Sequence, residues 1–222
     1  ELAVDHLDLV RIDPTYRIHF EDGTRIDLTG DLKMLQEQLE SLEPGSFAPA
    51  LRFIAEGKEA MDTSLAKFVG RDFDSYPDYF SPVNLPLIFK LKALTKHYAN
   101  VSTFFKDDRL RRAFSFQNMY LGLSPYDAPA TYSLLQYTEL ADGIHFPRGG
   151  MYRVIESLQS IAAGLGVTFR FASPVTSIDV AGNRATGVTL ASGERLSADI
   201  VIANADLPYV YENLLPDDGS AK

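Results

Sequence analysis

Residues Gly143-Ile144-His145-Phe146-Pro147-Arg148-Gly149-Gly150-Met151 constrain this chain more than any other stretch, together with the helix they open. Ile144 and Phe146 read as a short extended run. Pro147 ends it, because proline cannot donate to a ladder. Gly149-Gly150 lets the backbone turn sharply or pass close to another group. Beyond the turn, Met151, Val154, Ile155, Leu158 and Ile161 form one apolar stripe at helical spacing. Gly164-Leu165-Gly166 stops that helix, and Val167 to Phe171 reads as a strand. The unit is therefore strand, glycine turn, helix, strand. A glycine turn at a helix start exposes free N–H groups and a positive dipole end, which suits an anion or a polarisable ring. The same pattern equally serves as a tight connection in a βαβ unit.

The rest of the chain has to pack around that unit. Leu7–Ile12, Tyr16–Phe20 and Arg25–Leu28 read as three strands, with Asp22-Gly23 as a hairpin turn. A helix is expected from Asp31 to Leu42, with Thr29 or Asp31 near its cap. Pro44-Gly45 breaks it. Ser46 is expected to cap a long helix whose shared face is Phe47, Leu51, Ile54, Met61, Leu65 and Phe68, ending at Gly70. Residues 71–84 are turn-rich and aromatic. Leu87, Leu91, Leu94 and Tyr98 make a further helical stripe, with Lys92 and Lys96 opposite. Helices are also expected over Asp107 to Tyr120, Thr131 to Leu140 and Leu207 to Leu215. Thr176–Val180, Ala185–Leu190 and Glu194–Leu196 alternate as a β-meander. Residues 199–205 form a continuous apolar strand of the kind buried on both faces, which needs a sheet to enter.

Charge and composition exclude several functions. The net charge of −9 over 222 residues opposes general nucleic-acid binding. With no cysteine there is no disulfide, zinc thiolate site or thiol nucleophile. The four histidines, His6, His19, His97 and His145, lack metal-ligand spacing, so no metal is expected. No apolar run is long enough to span a bilayer, and the first residues carry no leader pattern. Residues 81–115 nonetheless hold Lys90, Lys92, Lys96, Lys106, Arg109, Arg111 and Arg112 against only Asp107 and Asp108. Such a region suits an anionic surface, or is a solvated helix face. Neither a serine elbow, a Walker loop nor a GxGxxG fingerprint is present. Glu139 and Asp142, just before the glycine motif, are candidate acid/base groups.

The run from Met119 to Ile144, the Phe146-Pro147-Arg148-Gly149-Gly150 motif and residues Arg111 to Phe116 resemble phytoene desaturases of the bacterial and fungal type, closest to the fungal branch. The Tyr16-Arg17-Ile18 hairpin and the strand over residues 199–206 are similar too. The resemblance covers nearly the whole chain. It is specific over residues 107–155 and diffuse over residues 31–100. It implies an FAD-dependent carotenoid desaturase of the flavin amine oxidase superfamily, which passes a hydride from an allylic carbon of a long polyene to the flavin. Such chemistry needs a dry apolar tunnel and a group that holds developing positive charge. The resemblance assigns that role to Glu139 or Tyr137, and it offers Phe114, Phe116, Tyr120, Tyr132 and Tyr137 as tunnel or core aromatics. It places Val175, Ala203, Asn204, Ala205, Arg148, Gly149 and Gly150 near FAD.

The fold implied is α+β. Residues 1–166 are expected to form a substrate-binding domain with a mixed or antiparallel sheet covered by helices. Residues 167–222 are expected to form a meander, buried strand and helix that return to an FAD-binding domain. The family's N-terminal FAD fingerprint is absent, so this chain looks like the middle of a longer enzyme, and by itself it is expected neither to retain FAD nor to turn over. The expected partners are a phytoene-like polyene and a membrane surface met by residues 82–98, with a cytoplasmic, peripherally membrane-associated location. A related flavoprotein isomerase or oxidase on another lipid, and a non-enzymatic lipid-binding module, are the alternatives.

Overall fold

A computed structural model describes residues 6–216. The chain divides into two compact units, residues 1–157 and 158–222. The division falls inside one helix.

In the first unit, β1 (Leu9–Ile12) pairs not with its sequence neighbour but with the strand of the glycine motif, Ile144–Pro147 (β4). The ladder is antiparallel, with Ile12 opposite Ile144 and Leu9 opposite Pro147. Cross-strand partners share a face, so Val10, Ile12, Ile144 and Phe146 line one side of this ribbon. Strands β2 (Tyr16–His19) and β3 (Arg25–Leu28) form a second antiparallel hairpin over Asp22-Gly23. Gly23 has φ +81°, which the turn requires. The sheet component is thus two separate ribbons rather than one mixed sheet.

Helix α1 (Leu32–Leu42) is capped as expected, the Asp31 carboxylate accepting from the Lys33 and Met34 amides. Helix α2 (Phe47–Ser64) runs on as a π-helical turn to Val69 and stops at Gly70. Its start differs from expectation. Ser46 sits at the cap position, but its hydroxyl is buried without a partner. The Glu40 carboxylate takes over, accepting from the Gly45 and Phe47 amides at 2.6 and 3.0 Å. Those two bonds hold its carboxyl below the usual range.

The buried face of α2 is also not the expected one. Ala50, Phe53, Gly57 and Ala60 face inward, while Leu51 and Leu65 are exposed. The inward residues are mostly small because α2 packs closely on α7 (Ser133–Tyr137). Phe53 joins Ile26, Leu28, Leu35, Leu39, Val101, Phe105, Leu110, Phe114 and Leu140 in the main core.

Between these helices, α3 (Tyr76–Tyr79), α4 (Leu85–Lys90), α5 (His97–Val101) and α6 (Asp108–Ala113) are short. The stripe over residues 87–98 is not one helix. Helix α4 stops at Lys90, Lys92 takes φ +52°, and α5 starts only at His97. Leu91 is buried but Leu94 is 73% exposed. The lysines are occupied within the protein: Lys90 pairs with Glu59, Lys92 with Glu56 and Asn100, and Lys96 with Asp127. Arg109 and Arg112 likewise pair with Asp107 and Asp108. Five of the seven cations of the basic region are therefore engaged by carboxylates of the protein itself, and Arg111 donates to the Phe105 carbonyl. Residues Asp107 to Tyr120 are two pieces, α6 and a 3₁₀ turn over Phe116–Leu121. Residues 130–142 make a continuous helical run of mixed type around α7.

Asp27 on β3 supports the first unit electrostatically. It is 3% exposed and takes both forks of Arg17 at 2.7 and 3.1 Å. The Arg17 hydrogen bond, opposed by burial, holds its carboxyl below the usual range. A carboxyl depressed by folding stabilises fully above its unfolded pKa of about 4, and that stabilisation is lost as pH falls through the folded value. The melting temperature of wild type should therefore drop on acidification below about pH 4. Asp27→Asn should melt lower at neutral pH and show a shallower acid decline. Parallel acid profiles for the two proteins would count against this role.

The second unit starts within α8 (Tyr152–Gly164). Its meander forms as expected: β5 (Val175–Ala181), β6 (Arg184–Leu190) and β7 (Arg195–Ser197) pair antiparallel in sequence order. Gly182 and Asn183 both take positive φ in the first turn. A closing helix, α9 (Leu207–Tyr209) with its π-helical extension to Leu214, packs Val210 and Leu214 on Ile178. Two expected strands are not paired. Residues 167–171 and 199–205 lie in no ladder, and Phe171, Ile200 and Ile202 are 71%, 77% and 88% exposed. In this chain the apolar run over residues 199–205 is therefore not the buried strand that was expected. The α8 stripe is also open, with Met151, Ile155 and Leu158 about half exposed.

Candidate functional site

Glu139 lies in the π-helical turn Thr138–Asp142 that follows α7 and is 5% exposed. Its two oxygens each accept one hydrogen bond. Gln117 Nε2 donates to Oε2 at 2.8 Å and the Tyr120 hydroxyl donates to Oε1 at 2.7 Å. Both carboxyl oxygens thus act as acceptors. Among the described residues no ion pair includes Glu139. Both donors stand on the 3₁₀ turn Phe116–Leu121, where positions 117 and 120 share a side.

Tyr120 is 45% exposed, yet its hydroxyl is turned inward. Burial first, then Tyr16 and Glu139 beside the hydroxyl, push its phenol well above the usual range, so it stays a donor. Its ring belongs to a cluster. Tyr16 lies 5.0 Å from Phe116 and 5.8 Å from Tyr120, and Phe116 lies 6.2 Å from Tyr120. Buried polar groups without partners stand near this network in sequence: Gln117 Oε1 and both side-chain polar atoms of Gln136.

Tyr137 is placed differently. Its hydroxyl donates to Asp142 at 3.2 Å, and Lys58 Nζ stands 5.9 Å from its ring centroid. It shares no hydrogen-bond partner with Glu139. Phe114 is wholly buried in the core beside Phe53 and Phe105. Gln117 was not singled out from sequence. It stands beside a second amide, Asn118, in the mixed run Phe114 to Met119, so nothing in the sequence set it apart.

Arg148 and Gly149 border an open cleft of about 540 Å³ that also involves His6, Asp8, Arg153 and Glu156, and Gly150 follows in the chain. Gly149 and Gly150 take φ of +92° and +100°, conformations that favour glycine. Arg148 is tied to Asp8 at 2.8 Å. A side-chain carbon on Gly150 would meet nothing, so its backbone is open to close approach. In the second unit, Val175 opens β5 opposite Leu190, and Ala203, Asn204 and Ala205 are exposed with no ladder partners. In the first unit, the open Gly150 backbone and the two arginines at the cleft, Arg148 and Arg153, have the chemistry to meet the polar edge of a ring system. A strand-to-helix glycine cradle for a pyrophosphate is not among them. No cluster of metal-binding side chains occurs among the described residues, and no helix among them is long and apolar enough to cross a membrane.

The profile of the family described as flavin containing amine oxidoreductase matches residues 2–219. A zeta-carotene-forming phytoene desaturase from Myxococcus xanthus is 48% identical over 211 residues, 95% of this chain and 41% of that protein. A phytoene desaturase from Phycomyces blakesleeanus is 40% identical over 220 residues, 97% of this chain and 38% of that protein. The chain thus spans about two fifths of the length of these relatives. Among solved structures, a Rab GDI from Plasmodium falciparum superposes with a TM-score of 0.53 at 13% identity, over 94% of this chain and 46% of that one. That likeness concerns the fold alone.

Proposed function

We propose, from the premise that this chain belongs to the flavin containing amine oxidoreductase family, that it is the substrate-side part of an FAD-dependent desaturase acting on a long polyisoprenoid of the phytoene type. The observation that carries this reading is the near-complete coverage of the chain by relatives named phytoene desaturase. The buried Glu139 network fits it, because desaturation needs charge stabilisation and proton acceptance but no strong nucleophile. FAD, when bound, would supply the two-electron acceptor for hydride from an allylic C–H, and Glu139 would take the proton released by the neighbouring carbon as the C=C bond forms.

The chain's own residues supply the surroundings. Residues 1–166 serve as the substrate-binding domain, with Glu139 near the reacting carbons. Residues 167–222 return to the FAD-binding domain. Support for that division comes from the unpaired apolar segments 167–171 and 199–205, which lack a sheet here. Arg148, Gly149, Gly150, Val175, Ala203, Asn204 and Ala205 would contact the cofactor, and the longer protein would supply the pyrophosphate site.

A polyene this long is insoluble in water, so collection from a bilayer follows. The surface that fits is the exposed apolar set Val69, Tyr76, Phe80, Val83, Phe89 and Leu94, rather than a lysine-bearing helix. Phe73, Tyr76, Tyr79 and Phe80 border an open groove of about 480 Å³ there. Ring-rich apolar surfaces of this type suit the headgroup region.

The test is product analysis of the full-length protein with phytoene. New conjugated double bonds, with a stoichiometric flavin spectrum, are expected from the full-length protein. The present chain alone should purify without flavin. An isomer or an oxygenated product would replace the desaturase reading by another flavoprotein activity, and no product with bound lipid would replace it by a lipid carrier.

A further inference from the structure

We propose that Tyr16, Phe116 and Tyr120 form an aromatic wall that binds the positive charge developing on the polyene, with Glu139 behind it as the fixed counter-charge. This deepens the desaturase reading and rests on it.

The geometry begins with charge. Glu139 is buried, accepts on both oxygens, and has only the neutral donors Gln117 and Tyr120. A buried carboxylate normally stands beside a basic group. Among the described residues, none pairs with this one. A cationic carbon held against the neighbouring rings would bring the opposite charge to this carboxylate during reaction.

The second element is the ring cluster between that carboxylate and the surface. The Tyr120 hydroxyl is committed inward to Glu139, so the outward part of Tyr120 is chiefly ring carbon. Tyr16 is 36% exposed beside it, and Phe116 is half-buried. The three centroids lie within 6.2 Å of one another with tilted or edge-to-face planes. An aromatic face attracts a cation through its quadrupole, more strongly once water is excluded. A hydrocarbon cation offers no hydrogen bond, so ring faces are the protein groups suited to touch it directly. The hydrogen bond from Tyr120 to Glu139 also enriches the ring's electron density, coupling the carboxylate to the wall.

FAD, when bound, would supply the two-electron acceptor for the hydride; the wall would stabilise the carbon left electron-poor, and the adjacent proton would pass to Glu139 by way of the Tyr120 hydroxyl that donates to it, leaving the new double bond. The ligand class that isolates the effect is a linear polyisoprenoid with one tertiary amine, protonated at neutral pH, compared with its isosteric hydrocarbon.

The experiment replaces Phe116 in the full-length enzyme with mono-, di- and trifluorinated phenylalanine, which nearly keeps shape while draining the ring face of electron density. The dissociation constant of the amine should rise stepwise, by roughly tenfold at three fluorines, while that of the hydrocarbon holds. The kcat for phytoene should fall in parallel with little change in KM. Tyr16→Phe, which keeps a ring face, should bind the amine nearly as wild type, and Tyr16→Leu should not. A flat amine series, or equal weakening of amine and hydrocarbon, would overturn the wall. Wild-type enzyme that leaves phytoene unchanged would refute the desaturase reading, and the amine arm, which needs no turnover, would still uphold or overturn the cation site.

Discussion

Gly57→Leu should leave the first unit unable to fold at room temperature, and Gly57→Ala should already lower its stability by about 1–3 kcal/mol. Gly57 sits mid-helix in α2, fully covered by α7. A carbon added there would stand 2.6 Å from the Ser133 carbonyl oxygen and 2.9 Å from Tyr137 Cβ. The nearest atom is backbone, so no rotamer change relieves the contact, and the helices must separate. Helix propensity works the other way, since alanine gains up to about 1 kcal/mol over glycine in a helix interior. The clash exceeds that gain because close packing is lost along the whole crossing. Urea unfolding with unchanged slope measures the difference. An alanine variant as stable as wild type would show that α2 and α7 do not meet this closely. The crossing also bears on function, because α7 leads directly into the turn that carries Glu139.

This contact explains why much of the fold could be read from the chain and part could not. Local signals gave β2, the Asp22-Gly23 turn and β3, the Asp31 cap of α1, and the order and turns of the meander, because turn and cap chemistry acts over a few residues. The face of α2 was misread because counting large apolar side chains favours Leu51 and Leu65, whereas the true interface wants small ones, and hydropathy gives glycine no weight. The stripe over residues 87–98 failed for a different reason. Periodicity cannot see that Lys92 is drawn inward by Glu56 and Asn100, which fixes a left-handed residue and divides the helix. Segments 167–171 and 199–205 carry strand composition, but composition does not supply a neighbour. At the candidate site, Glu139 was legible as an acidic residue before the glycine motif. Its partners were not, since Gln117 and Tyr120 lie 22 and 19 residues away and are brought in by tertiary packing.

Glu139→Gln should lower the turnover of the full-length enzyme about a hundredfold, equivalent to about 2.7 kcal/mol of transition-state stabilisation, with a much smaller change in KM. The amide keeps the size of the carboxyl but removes its charge and its capacity to take a proton. It also changes the hydrogen bonding. One of the two acceptor positions becomes an NH₂ group, facing either the Gln117 amide or the Tyr120 hydroxyl, both of which donate to Glu139 in wild type. Tyr120 can rotate its hydroxyl hydrogen and accept instead, so the packing survives at a cost of about 1 kcal/mol in stability. Turnover and folding are therefore separable in this variant, and Tyr120→Phe serves as its control. That change deletes one hydrogen bond to Glu139 while leaving the carboxyl and the ring face in place, so it should disturb stability comparably and lower turnover only by the share that the Tyr120–Glu139 coupling contributes, less than the hundredfold of Glu139→Gln. Equal kinetic losses in the two variants would mean that Glu139 acts through the packing of this network. Unchanged turnover in Glu139→Gln would remove it from the chemistry altogether.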